Sequence, residues 1–282
     1  MGSSSNSGIR LHGAISILRD LVHERTGLYF DDAKCDLLLD RLSPLVVERG
    51  FDSVLDYYYL LKYGSESADE WRKVFDALTV QESFFWREMD QINALVDEIV
   101  PQYFRAHPND TLSIWSAACA AGEEPINIEI ALQEAGWFDK ARINICGSDA
   151  SPRAIEAAQY GVYRERSFRS LPHGLREKYF VGDKGASQAS CDLRSRVRWQ
   201  ITNLMSERDL ASAPTGSQVI FCRNVFIYFS ELAARKAVHV FSERMSRPSY
   251  LFVGAAESLM QMTSAFELRE IADAFVYVRN EK

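Results

Sequence analysis

Apolar positions in the first 80 residues recur at intervals of three and four. Ile15, Leu18 and Val22 form one such series and Leu38, Leu42 and Leu45 another, the spacing of one buried helix face. Gly27 and Gly50 mark breaks between these segments. The pattern continues from Asp52 to Leu61, where Tyr57, Tyr58 and Tyr59 read as a packed helix face with wet hydroxyls. After about residue 110 the pattern changes, and short apolar runs alternate with helical stretches. Leu112 to Trp115 precedes a helix from about Glu124 to Gly136. Ile143 to Cys146 precedes one from about Pro152 to Tyr160, and Val219 to Cys222 one from about Glu231 to Met245. Leu251 to Val253 and Phe275 to Val278 complete the strands.

Strand–helix alternation of this kind predicts an α/β fold, with a largely parallel sheet covered on both faces. The helical part is expected over 9–80 and the sheet domain over 81–282. Gly182 to Ser195 breaks the alternation, and Arg196 to Trp199 then reads as a strand. A loop or a small antiparallel insertion near 181–199 accounts for this stretch. The Ser-, Asn- and Gly-rich start, Met1 to Gly8, lacks the apolar core of a secretory signal and reads as a loose tail.

Composition narrows the function classes. No apolar run reaches the ~18–20 residues of a membrane span, so no direct membrane insertion is expected. Five dispersed cysteines without a Cys-x-x-Cys pair argue against a disulfide framework and fit a reducing cytoplasm. The five histidines are scattered as well, and no metal is expected. A net charge of −7 disfavours nonspecific nucleic-acid binding. The first 80 residues carry nine basic and thirteen acidic groups, so they are not a basic module either.

Candidate chemistry collects where strands end. The first strand runs into Ser116-Ala117-Ala118-Cys119-Ala120-Ala121-Gly122-Glu123-Glu124-Pro125. Small side chains there admit a ligand to the backbone, and the helix start favours polar ligand groups. The turn is not the Gly-x-Gly-x-x-Gly pattern, which disfavours a nicotinamide cofactor. The second strand ends in Gly147-Ser148-Asp149, where an acid is placed either to hold ribose hydroxyls or to cap the following helix. Gln81 to Glu88 brackets Phe84, Phe85 and Trp86 with polar groups. Arg223-Asn224 falls at the carboxyl end of the next strand.

Taken together, these motifs resemble the CheR family, the chemotaxis-receptor glutamate O-methyltransferases, from about Ile15 to Val278. Gly27 to Phe30, Lys34 and Arg41-Leu42 are similar to the family's amino-terminal domain, and Gln81 to Glu88 to its Asn-x-Thr/Ser-x-Phe-Phe-Arg element. Trp115 to Ala118 with Gly122 to Pro125 resembles its cofactor loop, Ser148-Asp149 its ribose-binding acid, and Asn203-Leu204 a dipeptide near the adenine. Phe221 to Phe229 is close to the family signature, and Leu251 to Gly254 with Glu257-Ser258 resembles its closing strand and turn. The chain departs from the family at Gln81 for Asn, at Ile126-Asn127 for Tyr-Ser, at Gly254-Ala255-Ala256-Glu257 for Gly-His-Ser-Glu, and at Pro248-Ser249-Tyr250 for Pro-Gly-Gly.

The resemblance implies a class I methyltransferase sheet of seven mostly parallel strands, a helical amino-terminal domain and a small antiparallel β insertion that docks a receptor tail in some members. It implies S-adenosyl-L-methionine as cofactor and the cytoplasmic domain of a chemotaxis-type receptor as protein substrate. Gln81, Ser83, Arg87, Ala118, Gly122, Glu123, Asp149, Asn203, Leu204 and Asn224 are the expected cofactor contacts. Glu123 is expected to meet the cofactor's amino group. Arg87 and Tyr228 are expected to position the incoming carboxylate, Arg87 having the cofactor carboxylate as its other possible partner. Two alternatives stay open at this point: a methyltransferase acting on another protein or a small molecule, and a regulator that binds the cofactor without turnover.

Overall fold

The computed structural model describes residues 4–183 and 185–280, without the side chains of 4–12 and 183. Four helices open the chain: α1 (Ser4–Thr26), α2 (Cys35–Glu48), α3 (Val54–Tyr63) and α4 (Ser67–Leu78). Helical backbone therefore starts at Ser4, inside the stretch expected as a loose tail, whose first three residues lie outside the described ones. Leu18, Val22, Leu38, Leu42, Leu61 and Val74 form the core of this bundle. They include positions picked out by the helical spacing, because one face of each helix has only its neighbours to hide against. The tyrosine cluster is partly corrected. Tyr57 is fully buried, and its hydroxyl donates to Glu70 at 3.0 Å rather than to water, whereas Tyr59 is exposed.

A bent helical rod follows: α5 (Met89–Asn93), a π-helical stretch over Ala94–Ile99, and α6 (Val100–Ala106). The sheet domain then runs β1 (Thr111–Ala117), α7 (Glu123–Glu134), β2 (Arg142–Asp149), α8 (Pro152–Tyr160), β3 (Val162–Arg164), α9 (His173–Tyr179), β4 (Phe180–Asp183), β5 (Ala186–Ala189) and α10 (Cys191–Arg196). It continues with β6 (Val197–Ile201), α11 (Glu207–Ser212), β7 (Ser217–Phe221), α12 (Glu231–Arg244), β8 (Met245–Phe252), β9 (Glu267–Ile271) and β10 (Ala274–Arg279).

Seven strands form the main sheet in the order β6-β2-β1-β7-β8-β10-β9. The first five are parallel, and β10 is antiparallel to both of its neighbours. Both faces are covered, so the strands read as continuous apolar runs. Leu112, Ile114, Val219 and Phe221 pack towards α7 and the α5–α6 rod. Trp115, Ile220 and Leu251 pack on the other face, against Ala237 and Phe241 of α12. Strand order reverses between β1 and β7, which places the ligand crevice at their carboxyl ends.

The insertion overlaps the expected stretch over 181–189 but starts and ends earlier than the sequence pattern placed it. Its three-stranded antiparallel sheet is β3-β5-β4, so it begins at Val162 and closes at Ala189. The strand read at 196–199 is β6 of the main sheet, parallel to β2 from Ile145↔Val197 to Asp149↔Ile201. Trp199 explains the assignment. Its indole packs where a Cβ on Gly122 or on Gly147 would approach to 2.7 Å, so β6 covers the glycines of the β1 and β2 turns. β9 escaped the pattern because this edge strand, Glu-Leu-Arg-Glu-Ile, is largely exposed and has no buried face to report.

Glu129 of α7 is buried beside α10, with Oε1 3.7 Å from Arg196 Nε. Loss of hydration outweighs that attraction and pushes its carboxyl up to about 9. The folded state then holds a proton that the unfolded state has released, so this carboxyl makes stability fall as pH rises from about 4.5 to about 9. Urea denaturation from pH 6 to 9 is expected to show this decline in the wild type and a flatter one in Glu129→Gln. Parallel profiles would show that Glu129 is ionised in the fold.

Candidate active site

The ends of β1, β2 and β7 meet at the crevice, and those of β1 and β7 lead into left-handed backbone. After β1, Ala118 and Ala120 take φ of 58° and 49°, and Gly122 takes 91°. A left-handed alanine costs ~1–2 kcal/mol, so the surrounding contacts must hold this turn. Asp149, at the end of β2, supplies them. Its Oδ2 accepts the Ala120 amide at 3.0 Å and its Oδ1 the Ser151 amide at 2.9 Å. Burial pushes the Asp149 carboxyl up, while amides of Ser151, Ala120 and Ala150 pull against that shift. The helix cap itself is Ser151, whose Oγ accepts the Ala154 amide at 3.0 Å. Asp149 thus braces two turns and still lines the crevice.

After β7, Asn224 is also left-handed, with φ of 60°. Glu257 holds this turn. Its Oε2 accepts the amides of Asn224 at 2.8 Å and Gly254 at 2.6 Å, and its Oε1 that of Ile227 at 3.3 Å. Gly254 is needed for the approach, since a Cβ there would lie 2.4 Å from Asn224 Nδ2 and 2.9 Å from its backbone nitrogen. Burial raises the Glu257 carboxyl, and the amides of Gly254, Asn224, Ile227 and Phe226 oppose the rise.

The third piece is the segment before α5, where Trp86 and Glu88 have φ of 67° and 50°. Phe85 anchors it in the insertion core, with ring centroids 4.8 Å from Tyr163, 5.4 Å from Phe168 and 4.9 Å from Phe180. Its amide donates to Ser167 O at 2.8 Å, and Asn127 Oδ1 accepts the Trp86 amide at 3.2 Å. Arg223 ties the segment to the sheet. Its buried guanidinium donates to Glu124 at 2.6 Å and to the carbonyls of Arg87 and Glu88 at 3.2 and 3.3 Å.

These pieces enclose two adjoining chambers that share Val80, Ala118, Ala120 and Asn224. The larger, about 270 Å³, is walled mainly by apolar groups and holds Asp149, Asn203, Leu204 and Tyr228. Leu28, Tyr29, Phe30, Lys34 and Arg41 of the helical part line its far side. The smaller, about 60 Å³, brings Ser83 and Arg87 together with Glu82, Glu124 and Arg223.

Of the residues expected from sequence, Ser83, Arg87, Ala118, Asp149, Asn203, Leu204, Asn224 and Tyr228 line the two chambers. Gln81, Gly122 and Glu123 line neither. Gln81 Nε2 donates to Ser151 Oγ at 3.2 Å, so its longer side chain reaches the cap of α8. Gly122 packs under Trp199. Glu123 turns to the insertion and accepts from Ser167 at 3.0 Å, leaving its neighbour Glu124 as the α7 carboxylate at the small chamber. Two adjacent glutamates at a helix start look alike in sequence. Glu257 was visible only as part of a turn, and Lys34 and Arg41 of the helical wall were read as marks of the amino-terminal domain rather than as site residues.

Residues 81–275 match the model of the CheR methyltransferase SAM-binding domain, and residues 14–79 that of the CheR methyltransferase all-alpha domain. The chain belongs to the CheR methyltransferase family. Chemotaxis protein methyltransferase 2 of Vibrio cholerae serotype O1 is 32% identical over 267 residues, covering 94% of this chain and 92% of that one. The chemotaxis protein methyltransferase of Salmonella typhimurium is 28% identical over 253 residues, covering 88% and 85%. A probable biofilm formation methyltransferase of Pseudomonas putida is 29% identical over 263 residues, covering 92% and 60%.

S-adenosylmethionine, the family's cofactor, fits the donor set. The large chamber offers apolar walls for a planar base. Each Asp149 oxygen carries one of the two amide bonds above and keeps acceptor capacity for a diol. The small chamber has both carboxylates and guanidiniums, as a zwitterionic amino-acid end requires. The departures from the family pattern are also accommodated. Asn127 holds Trp86, Ile126 is buried in the insertion core, and the altered Ala255-Ala256 pair is exposed between the retained Gly254 and Glu257. Glu257→Gln keeps the size but turns one acceptor into a donor facing amides. It is expected to cost about 1–3 kcal/mol in denaturant unfolding. A loss below a few tenths of a kcal/mol would show that the Asn224 turn does not depend on it.

Proposed function

We propose that this enzyme methylates glutamate side-chain carboxylates on the cytoplasmic domain of a chemotaxis-type receptor, giving glutamate methyl ester and S-adenosyl-L-homocysteine. The cytoplasm is the compartment this reading requires. No helix among the described residues is long and apolar enough to cross a membrane, so the receptor would supply the membrane anchor. The observation that carries the reading is the placement of Arg87 and Tyr228 on adjoining chambers, the larger of which is also lined by the Asp149 carboxylate.

Bound S-adenosylmethionine supplies an activated methyl on a sulfonium. A glutamate acceptor has an unperturbed pKa of ~4.3 and arrives ionised, so no residue here has to remove a proton. The chain's task is alignment and exclusion of water. Asp149 takes the ribose hydroxyls, and Asn203 and Leu204 border the base. Ala118 and Ala120 let the ligand approach the backbone. In the small chamber Glu124 replaces Glu123 as the acid for the amino group. Arg87, partly exposed and 3.8 Å from Glu88, keeps donors free for an incoming carboxylate. Tyr228, a residue 41% exposed that lines the large chamber, adds its hydroxyl as a second donor for that carboxylate.

A second reading, methylation within a different signalling assembly, is favoured by the likeness to the Pseudomonas putida protein named for biofilm formation. It changes the partner and leaves the chemistry intact.

Incubation with methyl-labelled cofactor and receptor cytoplasmic fragments is expected to give label that alkali releases as methanol, the behaviour of a carboxylate ester. Alkali-stable label, or none, would overturn the carboxylate assignment. Arg87→Ala is expected to lower turnover about 10- to 100-fold with little change in thermal stability, the loss of one charge-assisted contact. Asp149→Asn, which keeps one acceptor, is expected to weaken S-adenosylhomocysteine binding about tenfold or more by calorimetry. Unchanged values would remove the respective residue from its role.

A further inference from the structure

Arg169 follows the short 3-10 turn Glu165–Phe168 of the insertion and is exposed. Its guanidinium carbon lies 3.7 Å from the centroid of the Phe84 ring. The guanidinium of Arg87 lies 5.4 Å from the same centroid. Two like charges therefore share one aromatic platform, and Phe84 itself lines the small chamber. Arg176 of the insertion, by contrast, is paired with Glu165 at 2.7 Å. Arg169 has no carboxylate within 4 Å among the described residues, and its only partner there is the ring. A stacked guanidinium keeps its in-plane donors free and fixed in direction, which suits it to receive an anion.

That anion is not the reacting carboxylate. Arg87 lines the small chamber and Arg169 does not, so Arg169 stands outside it, at the ring that forms part of its wall. The reacting carboxylate also becomes a neutral ester, whereas a neighbouring acid keeps its charge throughout. We propose that Arg169 is a specificity-determining residue that reads a second acidic side chain, adjacent on the protein substrate to the glutamate being methylated, with Phe84 as the platform it shares with Arg87. This inference rests on the protein-carboxylate reading above.

The test uses two receptor cytoplasmic fragments with the same accepting glutamate. One keeps acidic residues within four positions of it, and the other has glutamine at those positions. The wild-type enzyme is expected to show a KM about two- to fivefold lower for the acidic fragment at moderate salt, the size of an exposed charge pair. High salt is expected to shrink the difference. In Arg169→Gln the KM ratio should fall to about one, with the KM for S-adenosylmethionine unchanged. Methyl transfer without preference in the wild type, or a preference that survives in Arg169→Gln, would overturn the inference while leaving the carboxylate reading standing. Absence of transfer to either fragment would overturn the carboxylate reading and this inference with it.

Discussion

One buried carboxylate organises the crevice. Asp149 accepts an amide from the turn after β1 and another from the turn after β2, and so locks together two strand ends that run side by side. The left-handed Ala118 and Ala120 persist because that lock outweighs their strain. Glu257 does the same for Asn224 after β7. Both carboxylates are desolvated, which raises both, and the backbone amides they collect pull against that rise. Strain and buried charge, each costly alone, are thereby joined in three turns that face one ligand.

Around that frame the other two modules complete the site rather than merely flank it. The helical part closes the large chamber from one side and is held to the sheet domain by backbone contacts. Tyr29 N donates to Tyr228 O at 2.8 Å, and Leu28 bridges Phe229. Asn203 Nδ2 donates to Arg25 O at 2.7 Å, so a residue expected at the adenine also ties the two domains. The insertion grips Phe85, and Arg223 grips the carbonyl of Arg87, so the position of the Arg87 side chain depends on both. The proposed substrate and cofactor positions therefore rest on one small set of contacts.

Much of the fold was legible because both faces of the sheet are buried. Runs such as Val219 to Cys222 have no polar alternative, and Pro152 to Tyr160 carries its own cap in Ser151. The insertion strands and β9 were not legible. They are short or exposed, and their residues report pairing with neighbours rather than burial. In the site, Asp149 and Asn224 stood out as polar residues at strand ends. That Glu124 rather than Glu123 lines the small chamber was not legible, because spacing along a chain does not show which way two consecutive side chains turn at a helix start. Gln81 moved out of the crevice for a geometric reason, its added length finding Ser151.

On the proposed function, the crevice between these domains binds the adenosyl group through Asp149. A crystal structure of the enzyme with S-adenosylhomocysteine is the decisive measurement. The ribose hydroxyls are expected within hydrogen-bond distance of the Asp149 carboxylate, and the amino-acid end in the chamber of Arg87 and Glu124. A ligand bound elsewhere, or a ribose turned away from Asp149, would remove Asp149 from that role.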